Sequence, residues 1–218
     1  MKVFKLLFIA VLLVVVQGCY YGSMTGARTL GENHMTVTGA IALPAYLNAD
    51  DRREAGENNI DDVPLSPSLL FLSGATKKID IGISARAYGL GPIVRVGLLD
   101  PSSHGAVSIR AGASYIVPAK LLSTQYGISA GYLFGSSLEV YAGWDGGYGP
   151  DVINLPEDAD GGSDWDQVEN TFHHCINTGV VYGLPATEEW MPESVGFEFS
   201  IPMDLSRDLV MFGLGVTY

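Results

Sequence analysis

A two-residue period recurs along most of this chain, and it constrains the fold more than any other feature. In extended backbone, successive side chains point to opposite faces, so residues two apart share one face. Ile79, Ile81, Ile83, Ala85 and Ala87 alternate with Asp80, Gly82, Ser84, Arg86 and Tyr88. Val94, Val96 and Leu98 flank Arg95 and Gly97, and Val107 to Tyr115 alternates with Ser108, Arg110, Gly112 and Ser114. The same split runs through Tyr126 to Phe134, Leu138 to Trp144, Val195 to Ile201 and Val210 to Tyr218. One face is apolar throughout, and the other is small or polar. Strands near His34 to Leu43, Ser66 to Ser73 and Thr171 to Tyr182 bring the total to ten, with eight as the alternative if the second strand and a terminal one are misread. The second is irregular, since Leu69, Leu70, Phe71 and Leu72 do not alternate. Gly, Pro, Asp and Ser punctuate the runs, which is the pattern of an antiparallel all-β protein.

Charge placement separates a membrane barrel from a water-soluble one. Between Ile79 and Trp144 the only charges are Asp80, Arg86, Arg95, Asp100, Arg110, Lys120 and Glu139. The loops hold the rest: Asp50, Asp51, Glu54, Glu57, Asp61 and Asp62 stand against Arg52 and Arg53, and Asp145 to Asn170 contains eight acids and no base. An uncharged apolar face bordered by Tyr, Trp and Phe is what lipid demands, and strands of about 9 to 11 residues span a bilayer when tilted. With ten strands and both termini in the periplasm, the two long acidic segments fall outside, while Thr76 to Lys78, Asp100 to Ser103 and Gly135 to Ser137 are short inner turns. Leu184 to Glu193 is long for an inner turn.

At the N-terminus, Lys2 and Lys5 precede an apolar run from Leu6 to Val16, too short to span a bilayer and of secretory type. Val16-Gln17-Gly18-Cys19 then resembles the lipobox of bacterial lipoproteins, although that family prefers Leu at the position of Val16 and Ala or Ser at that of Gln17. The resemblance implies a signal peptide over 1–18, acylation of Cys19 and a lipidated segment over 19–31, and the alternating strands place the barrel over 32–218. Tyr20 after the cysteine implies sorting to the outer membrane. Tyr218, ending an alternating strand, is similar to the terminal aromatic read by the barrel-assembly machinery, and Gly26-Ala27-Arg28-Thr29-Leu30-Gly31 before a strand looks like the opening of small Gram-negative outer-membrane barrels. The chain as a whole resembles that class, whose partners are outer-membrane lipids and the barrel-assembly and lipoprotein-sorting machineries.

Other chemistry is sparse. With 24 acidic residues against 12 basic ones, a nucleic-acid partner is excluded. Cys19 and Cys175 make neither a disulfide framework nor a zinc site. No cofactor is expected. Asp158, Asp160, Asp164 and Asp166 could gather oxygens around Ca²⁺ but lack EF-hand spacing, so a solvated acidic loop is the alternative. In His173-His174-Cys175, alternation puts His173 and Cys175 in the lumen and His174 outside. No Ser motif or paired acid marks an enzyme.

The polar face carries Arg86, Arg95, Arg110, Glu139 and Glu198. Arginines confined in a narrow lumen need carboxylate partners. Depth along the strands predicts Arg110 with Glu139 or Glu198, and sends Arg86 and Arg95 toward loop acids at the outer mouth. The expected role is a structural or surface-interaction barrel with a filled lumen. A narrow passive pore for small solutes and a rim-located lipid-modifying enzyme are the alternatives.

Overall fold

The computed structural model describes residues 25–46, 66–86, 89–150, 168–185, 191–203 and 209–218. The signal peptide, Cys19 and the acidic stretch Asp158–Asp166 lie outside the described residues. Ten strands follow in chain order: β1 (Met35–Tyr46), β2 (Ser66–Gly74), β3 (Ile79–Arg86), β4 (Gly89–Gly97), β5 (Gly105–Ile116), β6 (Leu121–Phe134), β7 (Leu138–Pro150), β8 (Asn170–Gly183), β9 (Ser194–Pro202) and β10 (Leu209–Thr217). Each pairs antiparallel with its sequence neighbour, and β1 pairs with β10 to close the barrel. The chain is therefore an all-β closed barrel of ten antiparallel strands, and among the described residues no helix is long and apolar enough to cross a membrane. Closure leaves no strand edge unpaired, which removes the chief liability of an open sheet.

The two wall faces differ as the alternation requires. Ile81, Ile83, Val94, Ile109, Ile128, Ile176, Phe197, Phe212 and Leu214 are exposed on the outside. Thr36, Thr38, Asp80, Ser84, Arg95, Ser108, Ser129, Asn177 and Ser200 are buried inside. β2 breaks the rule because its lumen side is apolar too. Leu70 and Leu72 point inward and pack with Ile93 and Leu30, while Leu69 and Phe71 face out, so four consecutive apolar residues serve two hydrophobic surfaces.

The start of β1, the end of β10 and the turns 75–78, 98–104 and 135–137 lie at one end of the barrel, here the terminal end; the opposite end is the far end. Gly135 takes a φ of 65°, a conformation that favours glycine, and so permits the tight β6–β7 turn. The segment 25–31, expected to precede the barrel, lies within its terminal mouth: Ala27 is only 1% exposed.

Candidate functional site

The lumen gathers the buried charges, and strand register decides how they pair. Asp80 of β3 stands directly opposite Arg95 of β4, which in turn stands opposite Arg110 of β5. Two arginines face to face repel, so each must turn to a carboxylate on its other side. Arg95 turns to Asp80, with Nε donating to Oδ2 at 2.8 Å and Nη2 at 2.7 Å from the same oxygen. Its side chain is 3% exposed and that of Asp80 is not exposed at all.

Arg110 turns the other way and reaches across a whole strand. Gly127 of β6 stands opposite both Arg110 and Asp145 of β7. A β-carbon at Gly127 would lie 2.0 Å from Asp145 Oδ1 and 3.0 Å from Arg110 Nε. Without it, Arg110 Nε donates to Asp145 Oδ1 at 2.7 Å and Arg110 Nη2 donates to Oδ2, a two-pronged contact that suits guanidinium and carboxylate. Asn177 Nδ2 donates to Asp145 Oδ2 at 2.5 Å. The expected pairing of Arg110 with Glu139 or Glu198 is thus replaced by Asp145. β7 continues to Pro150, so Asp145 is a lumen-facing strand residue rather than the first acid of a loop. Arg95, expected near the outer mouth, lies instead toward the terminal end of β4, where β3 supplies Asp80 beside it. Arg86 lies at the far end of β3, within electrostatic reach of Arg110, Asp145 and Cys175.

The two glutamates each accept from neutral donors. Glu198 accepts from Tyr141 Oη at 2.6 Å and from Ser200 Oγ at 3.2 Å. Glu139 Oε1 accepts from the backbone N–H of Ala27 at 2.9 Å, inside the N-terminal segment. The rest of that segment is bonded in the same style. Arg95 Nη1 donates to Thr25 O at 3.2 Å and to Thr25 Oγ1 at 3.3 Å. Leu30 N–H donates to both oxygens of Asp80 at 3.1 and 3.2 Å. Arg28 donates to the turn carbonyls of Pro101, Ser103 and His104 at 3.1, 2.8 and 2.5 Å. The sequence does not announce these contacts, because the segment shows no apolar period. Its visible signal is Gly26, whose φ is 62° and where a β-carbon would stand 2.6 Å from Glu139 Oε2.

Cys175 is a free, fully buried cysteine on the lumen side. His174 sits outside, stacked on Trp144 at 5.4 Å and Phe172 at 6.4 Å. Tyr126 and Tyr148 extend this cluster of rings, each within 5.5 Å of a member. A second outward group, His104, Tyr132 and Phe134, lies at the terminal end. Among the described residues no cluster of three His, Cys, Asp or Glu could hold a metal.

No protein-family model matches the chain, and a search of curated proteins finds no match. Solved structures are similar in outline. The N-terminal β-barrel domain of Pseudomonas aeruginosa OprF aligns over 86% of this chain and 97% of its own length, at 13% identity and a TM-score of 0.37. A loop-deletion mutant of OmpT, an outer membrane protein of Vibrio cholerae, aligns over 91% of this chain and 68% of its own, at 11% identity and a TM-score of 0.33.

Proposed function

We propose that this chain is an integral barrel of the bacterial outer membrane, acylated at Cys19, with both termini in the periplasm and a filled lumen, serving as a structural or surface-interaction protein rather than a conduit. The observation that carries the closed lumen is the row from Asp80 through Arg95 and Arg110 to Asp145, in which cations and carboxylates from four strands meet across the interior. Ions entering such a lumen would have to break charge-assisted hydrogen bonds that are almost fully buried. The membrane assignment rests on the outward face, where isoleucines and valines ring the wall and aromatic groups gather toward each end. Acylation rests on Val16-Gln17-Gly18-Cys19.

Planar-bilayer recording tests the closed lumen. The parent protein is expected to be silent, and a stable open channel in the parent overturns the reading. For the membrane face, Ile128→Arg at mid-strand is expected to impair insertion by about 2–4 kcal/mol, whereas lumen-facing Ser129→Arg crowds the interior without that lipid penalty. Equal insertion of Ile128→Arg and the parent would refute the membrane assignment. Intact mass tests the anchor: diacyl or triacyl mass on Cys19, absent in Cys19→Ala, is expected.

A further inference from the structure

The wall is complete without the N-terminal segment. β1 begins at Met35 and closes on β10 through Thr38 opposite Thr217, downstream of residues 25–31. Among the described residues, no backbone-to-backbone hydrogen bond joins 25–30 to a strand. What holds these residues is a set of side chains aimed at their backbone. Carboxylates of Glu139 and Asp80 accept peptide N–H groups, and the Arg95 guanidinium binds a peptide carbonyl. Side chains of the segment add to this. Position 26 must lack a β-carbon to clear Glu139, and position 28 supplies a guanidinium for the carbonyls of the 98–104 turn. The hydroxyls of Thr25 and Thr29 bond Arg95 and the Lys77 carbonyl, and Leu30 packs with Leu70, Leu72 and Ile93.

Groups that recognise backbone in this way form a peptide-binding site. We infer that the terminal mouth of the barrel is a binding site for an extended peptide of the form Gly-Ala-Arg, and that residues 25–31 occupy it as a removable plug. This deepens the closed-lumen reading and rests on it. The segment bonds Asp80 and Arg95 of the ion pair as well as Glu139, so its departure would leave Glu139 without the Ala27 N–H and uncover the next lumen-facing position beyond Gly131, which is Ser129. A β-carbon at Gly131 would already lie 3.1 Å from Ala27 Cβ, so plug and wall are in direct contact at that level. Farther in, the hydrogen bonds that join Arg110, Asp145 and Asn177 do not involve the segment and would stay in place, with Cys175 of β8 opposite Asp145.

Thiol labelling of the full chain in detergent tests this. In a Ser129→Cys background, Gly26→Val should dislodge the plug through both its backbone angle and its collision with Glu139. Arg28→Ala is the milder second variant, acting only on the turn carbonyls. Either should raise the maleimide labelling rate of the thiol introduced at position 129 about tenfold or more, as expected when one or two hydrogen bonds' worth of closure is lost. Native Cys175, read by peptide mass in the same sample, should stay protected, and boiled and unboiled samples should keep their difference in gel mobility. A free peptide with the sequence of Thr25 to Gly31, added at millimolar concentration to match a tethered segment, should restore protection to the Gly26→Val protein. Three results overturn the inference: the introduced thiol labelled no faster in both variants, Cys175 accelerated equally, or no protection by the added peptide. Failure of the closed-lumen reading would show separately, as conductance in the parent.

Discussion

The lumen is closed at two levels by different means. At the terminal end, Asp80, Arg95 and Glu139 are completed by a peptide, so the carboxylates bind backbone N–H groups as well as a guanidinium. In the middle, Arg110, Asp145 and Asn177 bond one another through side chains alone. The first level is also drier: Arg95 and Asp80 are 3% and 0% exposed, against 8% and 10% for Arg110 and Asp145. A buried charge with two obligations has less freedom to relax when one partner goes, so the two levels should respond unequally to the same kind of substitution.

Asp80→Ala should have the largest effect. It leaves the Arg95 cation in a nearly dry site and removes the acceptor for Leu30 N–H, and breaking a buried pair from one side costs about 3–5 kcal/mol. The midpoint of heat- or urea-driven loss of the fast-migrating gel form measures it; a loss under about 1 kcal/mol, the range of a solvent-exposed pair, would show that water reaches Arg95 freely. Asp145→Ala should cost less, about 2–3 kcal/mol, because Arg110 retains some access to water and the lost bonds are charge-assisted hydrogen bonds. Equal costs for the two would erase the distinction between the levels. Gly127→Ala leaves both charges in place and only wedges a methyl between them, so about 1–3 kcal/mol is expected from overpacking. It should also raise lumen conductance if the two-pronged contact is what seals the middle level.

The smallest effect belongs to a turn outside the wall, at the terminal end. Ser102 donates its hydroxyl and its N–H to Asp100 Oδ1 at 2.7 and 2.9 Å, and these bonds hold that carboxyl below its ordinary pKa. A depressed folded-state pKa stabilises the turn above the ordinary carboxylate range, and the benefit is lost as pH falls through the lowered value. Ser102→Ala should move the Asp100 titration, followed by NMR, upward toward the ordinary value. No upward movement would show that Lys77 and Lys78 nearby set it instead.

The wall is legible in the sequence because one rule, alternation, is local. Even the irregular β2 follows once Leu70 and Leu72 are seen to meet Ile93 and Leu30. The lumen is only half legible. Its residues can be assigned to the polar face, but their partners depend on register, which no single strand encodes. Asp145 escapes the polar-face set because Gly146, Gly147, Gly149 and Pro150 read as a turn, whereas here they extend β7. The peptide plug leaves almost no trace, since bonds to its backbone need no apolar pattern and Leu30 alone makes no period. Gly26 and Arg28 are visible as residues, not as a site.

The sheet order has a kinetic consequence. Nine of the ten pairings join strands that follow one another in sequence, so the wall can grow hairpin by hairpin with modest loop closure. The tenth does not. Thr38 and Thr217, whose hydroxyls lie 2.9 Å apart, are 179 residues distant, and Val37 and Tyr218 exchange backbone hydrogen bonds of 2.8 and 3.0 Å at the same seam. This seam carries nearly all of the long-range entropy of assembly and should form last. The strand that makes it is also the one joined directly to residues 25–31, so the inner peptide is carried on the same strand that closes the wall.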